Sequence, residues 1–440
     1  MVNNTNTKKI LAIRGMNDIL PSRSCDWVCL ENILLNWLHS YGYSNIRVPV
    51  LEQTSLFQRG IGEVTDIVEK EMYSFRDSYN NDSLTIRPEI TAGIVRAAIE
   101  HNILYERPRR LYSIGPVFRH ERPQLGRYRQ FHQVDIEAIG FDGPDLDAEL
   151  MIMVSRLWKI LDIQDIKLEL NCLGSYQDRL NYKEVLLNFF EKNIDHLDDI
   201  SKKRLYSNPL RILDSKNPTV RSLIEEAPVL LDFLSDDSLK YFDSVCGFLK
   251  SNNIQYYINN RLVRGLDYYN LTVFEWTTDK LGSQSTVCGG GRYDNLFSML
   301  GGKNIPAAGF AIGFERLIEL WNFYKGTSKT KDCDIYITHR GLIAQKLSFN
   351  YAEKLRDSGF KVIVHCGLND ALKRQFRMAD LSNATIAIVF GEDEVKNNFA
   401  SIKLLRVSHK DNVNQEKVPL EQLIPFLKDK IKNNFGFYDE

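Results

Sequence analysis

Apolar residues at Trp27, Leu30, Leu34, Trp37, Leu38 and Tyr41 recur at three- and four-residue steps, which predicts a helix over Ser24–Tyr41. Gly42 stops it. Ile46, Val48 and Val50 then alternate through Pro49, which predicts a strand confined by its proline to an edge or a special pairing. Short strands follow at Met72–Phe75 and Leu84–Arg87, then Pro88-Glu89-Ile90-Thr91 and a helix from about Ala92. Leu111–Phe118 reads as a strand reaching a Gly-Pro corner, and Tyr128–Glu137 alternates again as its return. Asp145–Ile160 is a second amphipathic helix.

From about Leu173 to Asn260 the pattern changes. Helical stretches such as Val185–Phe190 and Leu239–Leu249 alternate with loops punctuated by Pro209, Pro218 and Pro228, as in a mostly helical insertion. A sheet resumes after Arg261 with a strand at Val273–Trp276, and Ala308–Trp321 runs from strand into helix. Lys325–Lys331 has the composition of a linker. Beyond it come Ile335–Thr338, Ala344–Ser358, Lys361–His365, Leu368–Leu381 and Ala384–Phe390, a β-α-β-α-β order. A strand near Ser401–Arg406 and a helix near Leu420–Lys432 complete it, which predicts a small, mainly parallel sheet wrapped by helices.

Composition adds little to this picture. The 440 residues are 43% hydrophobic and 26% charged, enough for two or three domains with substantial cores. A net charge of −1 means that any nucleic-acid contact must come from local patches. Seven scattered cysteines without a Cys-x-x-Cys pair fit reduced thiols and argue against a disulfide framework or a structural zinc. With no apolar signal region and no run long enough to span a bilayer, the expectation is a cytoplasmic protein.

Candidate chemistry concentrates in Gly115–Gln133, GPVFRHERPQLGRYRQFHQ. Arg119, Arg122, Arg127 and Arg129 lie there among Phe118, Tyr128 and Phe131. Guanidinium forks match phosphate and carboxylate oxygens bidentately, and the rings offer stacking faces to a base. A solvated basic hairpin is the plain alternative, but it has no use for the interleaved rings. Glu89 and Thr91, just before a helix, read locally as capping groups. Val287–Asp294 is glycine-rich without being a dinucleotide or Walker loop, which suggests close backbone approach to a substrate. Lys373, Arg374 and Arg377 cluster on one helix, either as a solvated face or as an RNA contact.

The arginine-rich hairpin resembles motif 2 of the class II aminoacyl-tRNA synthetases, and its Phe-Arg-His-Glu-Arg-Pro wording resembles the histidyl family. Arg261–Tyr269, RLVRGLDYY, resembles the signature of that family, and Gly309–Arg316, GFAIGFER, resembles its motif 3. The helix–strand–Pro arrangement near the start resembles motif 1, which implies a homodimer interface. The resemblance runs from about Ile13 to the C-terminus. It implies an α+β catalytic domain, with a class II mixed antiparallel sheet and helices, over 1–172 and 261–325. A helical insertion would occupy 173–260, and a C-terminal α/β anticodon-binding domain 331–440.

The resemblance also implies an activity, with ATP and Mg2+ as co-substrate and tRNA(His) as partner. Histidine is adenylated by ATP, then moved to the 3′ end of its tRNA. It implies that Arg119 bridges the histidine carboxylate and the α-phosphate, and that Arg264 faces that phosphate from the other side. Glu89 and Thr91 would hold the amino group with Gln133 assisting. Glu137 and Tyr269 would read the imidazole, with Tyr268 beside them. Glu121, Arg127, Phe131 and Arg316 would bind ATP, Phe131 beneath the adenine. Arg122 and Gln124 would read the extra 5′ guanosine of the tRNA and its partner. Two departures stand out: Ile90 where the family has glycine, and Gly289 where it has alanine. Asp135 occupies a position that varies in the family, and no role follows from it.

Two other readings compete. A synthetase-like regulatory subunit of ATP phosphoribosyltransferase resembles the same catalytic domain, but lacks the C-terminal domain and some of these arginines. A class II synthetase for threonine or proline would lack Arg-Gly-Leu-Asp-Tyr-Tyr and Glu137.

Overall fold

The computed structural model describes residues 9–62, 65–124, 126–215, 217–282, 285–326, 331–367, 371–406 and 415–435. The chain divides into two units, Met1–Thr327 and Ser328–Glu440. Most of the expected linker, residues 327–330, lies outside the described residues.

In the first unit, α1 (Pro21–Ser40) opens with proline at a position where the missing N–H costs nothing. It buries Trp27, Leu30, Leu34, Trp37 and Leu38, the face its spacing predicts. The strand expected over Ile46–Val50 does not form. β1 is only Ser44–Asn45 and β2 is Leu51–Gln53. Pro49 has no N–H to offer a ladder, and Arg87 takes the nearby carbonyls instead. Its Nη1 donates to Val48 O at 3.0 Å, and its backbone N–H donates to Val50 O at 2.9 Å.

Next come α2 (Thr54–Ile61), β3 (Tyr73–Arg76) and β4 (Ser83–Ile86). β2, β4 and β3 form a small antiparallel sheet, with β4 in the middle. The chain continues through α3 (Thr91–Glu100), β5 (Arg109–Phe118), β6 (Gln130–Ile139), α4 (Pro144–Ile160) and β7 (Lys167–Cys172). The helical stretch follows as α5 (Tyr176–Lys192), α6 (Asp199–Ser207), α7 (Pro218–Glu226) and α8 (Asp236–Ser251). β8 (Tyr257–Ile258), β9 (Asn270–Thr277), β10 (Thr286–Arg292), α9 (Leu296–Met299), β11 (Ala307–Gly313) and α10 (Phe314–Lys325) complete the unit.

Eight of these strands form one sheet, ordered β1-β5-β6-β11-β10-β9-β7-β8. Its interior pairings are antiparallel and only the two end pairings are parallel. Trp37 Nε1 donates to Met153 O at 2.9 Å, tying α1 to α4. The α4 helix is in turn held to β10 by a buried ion pair, Arg292 Nη2 to Asp147 Oδ1 at 2.6 Å.

The second unit has its own core, including Ile335, Ile337, Leu355, Ile386, Ile388 and Leu427. Its elements are β12 (Ile335–His339), α11 (Leu342–Asp357), β13 (Val362–Val364), α12 (Leu372–Leu381), β14 (Ile386–Phe390), α13 (Glu392–Lys396), β15 (Phe399–Leu404), β16 (Gln415–Pro419) and α14 (Leu423–Phe435). The start expected for the α12 helix, residues 368–370, lies outside the described residues. The sheet order is β13-β12-β14-β15-β16. It is less parallel than expected: β12 pairs in parallel with β13 and β14, but β14–β15 and β15–β16 are antiparallel. The connection 391–398 is shorter than the roughly dozen residues a parallel crossover needs. Lys373, Arg374 and Arg377 are exposed on α12.

Candidate active site

The middle of the large sheet carries a cavity of about 340 Å³. Residues two apart on a strand point to the same face, so Gln133, Asp135 and Glu137 of β6 stand side by side along its floor. Directly opposite them on β11 are Gly313, Ala311 and Gly309. Small partners leave room for the polar side chains. A methyl group on Gly309 would collide with the Glu137 carboxylate.

One end of the cavity is acidic. Glu137 is 1% exposed, and its oxygens accept from Thr91 Oγ1 at 2.7 Å and from the Tyr293 hydroxyl. Burial pushes its carboxyl up to about 8, with Glu89 adding to the rise and the two hydroxyl bonds opposing it. Glu89 caps α3 through Ala92 N at 2.9 Å, as its position before a helix suggests, while its Oε2 is buried without a hydrogen-bond partner. Asp135 is also buried. Desolvation first, then the charges of Glu137 and Glu89, push its carboxyl well up, against the pull of Arg87 and Arg119. The rings of Tyr268, Tyr269 and Tyr293 wall this end, the first two with centroids 4.7 Å apart.

The other end is cationic. Arg119 Nε donates to Pro88 O at 2.9 Å, and its guanidinium lies 5.3 Å from the Phe131 ring centroid. Arg316, from the start of α10, donates to Gly126 O at 2.9 Å and Thr286 O at 2.6 Å. Burial, helped by the charges of Arg119 and Arg127, lowers its pKa to about 10. Gly126 sits at φ +69 in the hairpin loop, a conformation glycine adopts without strain. Glu121 pairs with Arg127 at the same end.

Arg264 stands between the two ends. Burial opposes its charge, but Glu275 outweighs burial and raises its pKa. Its guanidinium lies 5.7 Å from the Tyr269 ring centroid, and its Nε is buried without a hydrogen-bond partner. Glu275 is itself fixed by Thr286 Oγ1 at 2.7 Å. Asp267, close in sequence, is not the partner of Arg264; it is taken by Arg211 at 2.7 Å and Asn208 at 3.1 Å. The glycine-rich strand packs against this arrangement, with Gly290 closed to a side chain by backbone and Gly289 facing the movable end of Arg264. A Cβ on Gly289 would lie 2.6 Å from Arg264 Nη1, and one on Gly290 would strike the backbone of β11.

All the residues assigned above to histidine and ATP therefore line one cavity: Glu89, Thr91, Arg119, Glu121, Arg127, Phe131, Gln133, Glu137, Arg264, Tyr268, Tyr269 and Arg316. Arg122 and Gln124 stand outside it, exposed on the hairpin loop. Ile90 takes an ordinary right-handed backbone (φ −105, ψ −26) and buries its side chain in the core, so the substitution for glycine does not line the cavity. Sequence reading passed over Glu275, Thr286 and Tyr293. Glu275 had a signal, a lone acid among Val273, Phe274 and Trp276. Tyr293 had none.

Residues 15–317 match the family model for histidyl-tRNA synthetase, and residues 338–430 that for an anticodon binding domain. The chain is 57% identical over 423 residues to a histidine–tRNA ligase of Bordetella avium, covering 96% of this chain and 99% of that one. A histidine–tRNA ligase of Paraburkholderia phymatum is 52% identical over 425 residues, covering 96% and 95%. The crystal structure of apo S. aureus histidyl-tRNA synthetase superposes with a TM-score of 0.78 at 33% identity, covering 96% of this chain and all of that one.

Proposed function

Because the chain belongs to the histidyl-tRNA synthetase family, we propose how each residue of the cavity serves the reaction of that family. The activity is ATP-dependent ligation of histidine to tRNA, by a class II aminoacyl-tRNA synthetase. The observation that carries the residue-level reading is the polarity of one cavity, with arginines at one end and buried acids with tyrosines at the other. A histidine zwitterion fits it with its carboxylate toward Arg119 and its ring toward Glu137 and Tyr269.

In the first step a histidine carboxylate oxygen attacks the α-phosphorus of ATP. A new O–P bond forms, the bond to the β-phosphate bridge breaks, and pyrophosphate leaves with that electron pair. Arg119 holds the carboxylate against the α-phosphate, Arg264 faces the phosphate from the other side, and Arg316 takes the distal phosphates. Catalysis is positioning and charge stabilisation, with no covalent protein intermediate. Phe131 lies beneath the adenine, while Glu121 and Arg127 frame the nucleotide. In the second step a terminal ribose hydroxyl of tRNA attacks the adenylate carbonyl and AMP leaves. Among the described residues no group of three or more His, Cys, Asp or Glu side chains can hold a metal. Magnesium would accompany the triphosphate, bound chiefly through the phosphate oxygens.

Selection of histidine follows from the ring. A neutral imidazole has one donor and one acceptor nitrogen, and Glu137 and Tyr269 are read as its two partners, with Tyr268 alongside. Thr91 braces Glu137 and keeps lone pairs free for the amino group. Pyrophosphate exchange measured with each amino acid in turn tests the assignment. Exchange with histidine alone is expected. Exchange with none, from folded protein, would favour the regulatory-subunit alternative.

Arg122 and Gln124 are offered to the acceptor end of tRNA(His), and the second unit to its anticodon. Removing residues 331–440 should leave adenylate formation intact and weaken aminoacylation by roughly tenfold or more, the equivalent of about 1.4 kcal/mol of lost contact. Parallel loss of both activities in a folded truncated protein would contradict this division. A homodimer is proposed through residues 24–51, where Val28 is 56% and Leu51 42% exposed. Sedimentation at micromolar concentration should give the dimer mass, and a monomer alone would refute it. Among the described residues no helix is long and apolar enough to cross a membrane, and the cytoplasm is the proposed site of action.

A further inference from the structure

Four buried acceptor oxygens in the cavity have no hydrogen-bond partner among the described residues; Glu121 Oε2 is ion-paired with Arg127, which leaves three without a cation or donor, Glu89 Oε2, Gln133 Oε1 and Asp135 Oδ2. Asp135 is 1% exposed and Glu89 3%. Buried acceptors in folded proteins are satisfied, so three orphans lining one cavity call for a ligand that only donates. An ammonium group has three N–H donors and no acceptor. We infer that Asp135 is a further acceptor for the amino group of the amino-acid substrate, forming with Glu89 and Gln133 a cage of three orphaned oxygens beside the Thr91 hydroxyl.

Position along the strand supports this. Asp135 lies between Gln133 and Glu137 on the same face of β6. Glu137 is engaged by Thr91 and Tyr293 at the end read as the imidazole site. Arg119 marks the carboxylate end. In an α-amino acid the ammonium sits between those two groups, as Asp135 does. The competing role, a counter-ion for Arg87, is weaker. The Arg87 guanidinium is already engaged by the carbonyls of Pro116 at 2.9 Å and Val48 at 3.0 Å. Arg87 and Arg119 act on Asp135 through their charge, with no hydrogen bond to Oδ2. A buried carboxylate without such a bond is costly to keep charged, and an arriving ammonium stabilises it. Asp135 therefore favours substrates with a protonated free amino group.

The inference rests on histidine being the substrate. Asp135→Asn in the full chain keeps the shape and removes the charge. Its expected effect is a rise of about 10- to 100-fold in the KM for histidine, as for loss of a charge-assisted hydrogen bond, with the KM for ATP unchanged. Two competitors separate a contact from a structural effect. Histidinol keeps the ammonium and lacks the carboxylate; imidazolepropionate keeps the carboxylate and lacks the ammonium. Inhibition by histidinol should weaken in parallel with histidine binding, and inhibition by imidazolepropionate should not weaken. The ligand-free melting temperature should not fall, whereas the rise caused by added histidine should shrink. Asp135→Ser, with a short hydroxyl acceptor, should show the same split between competitors should the Asn variant fail to fold. Equal weakening of both competitors, or unchanged histidinol inhibition, overturns the role. A wild-type chain that does not activate histidine would instead overturn the substrate reading.

Discussion

Arg264→Ala is expected to slow histidyl-adenylate formation by about two to three orders of magnitude while leaving histidine binding comparatively intact. Charge gathers on the α-phosphate as the transition state forms, and a fixed cation there stabilises that state more than the bound substrates. Loss of one such donor costs roughly 3–4 kcal/mol. The surroundings suit the task. Arg264 is held by Glu275, which is held by Thr286, so its position is set before the phosphate arrives. Its Nε remains an unsatisfied buried donor. Stranding Glu275 could by itself damage the site, and the double variant Arg264→Ala/Glu275→Gln controls for this. Rapid-quench measurement of adenylate should find the double variant as slow as the single one. Recovery in the double variant would make Arg264 a structural partner, and a near-normal rate in the single variant would remove it from the mechanism.

Arg292→Met should destabilise the first unit by about 3–5 kcal/mol, the usual cost of breaking a buried ion pair from one side. Arg292 is 1% exposed and Asp147 2%. The guanidinium donates to Asp147 Oδ1 through Nη2 at 2.6 Å and Nε at 3.0 Å. It also reaches Phe141 O at 2.9 Å, Gly143 O at 3.1 Å and Asp294 Oδ1 at 3.2 Å. Methionine fills much of the volume and meets none of those acceptors, leaving the buried Asp147 without its counter-charge and with the Tyr241 hydroxyl, at 3.1 Å, still donating to its Oδ2. Denaturant unfolding should show the first unit's transition displaced and the second unit's unchanged. Adding Asp147→Asn should recover part of the loss, because the stranded charge is its main cause. A loss below about 1 kcal/mol would mean that solvent reaches the pair and that the ordinary modest value of exposed ion pairs applies.

Neither Glu275 nor Asp147 could be given its partner from sequence. Arg264 and Glu275 are on different elements, and their meeting depends on β9 lying beside β10, which places Gly289 under the guanidinium. The Tyr293–Glu137 bond likewise requires β10 and β6 to flank β11. The nearest acid to Arg264 in sequence, Asp267, pairs elsewhere. Such pairings depend on strand order and register, which are set by long-range contacts.

What the sequence by itself determined is what the backbone period carries. The helix face of α1, the return strand that brings Gln133, Asp135 and Glu137 to one side, and the arginines of the hairpin loop all follow from local spacing. The wording of three stretches carried the resemblance to the family, and the residues matched through that resemblance to histidine and ATP line one cavity. Only the tertiary structure decided the rest. It replaced the strand at Ile46–Val50 with a segment whose carbonyls Arg87 collects. It made the outer pairings of the second sheet antiparallel, and it left Glu89, Gln133 and Asp135 each with an acceptor oxygen buried without a donor among the described residues. The physical reason is the same in each case. Periodicity tells which side a residue faces, but whether a polar atom there is satisfied depends on what the rest of the fold brings opposite it.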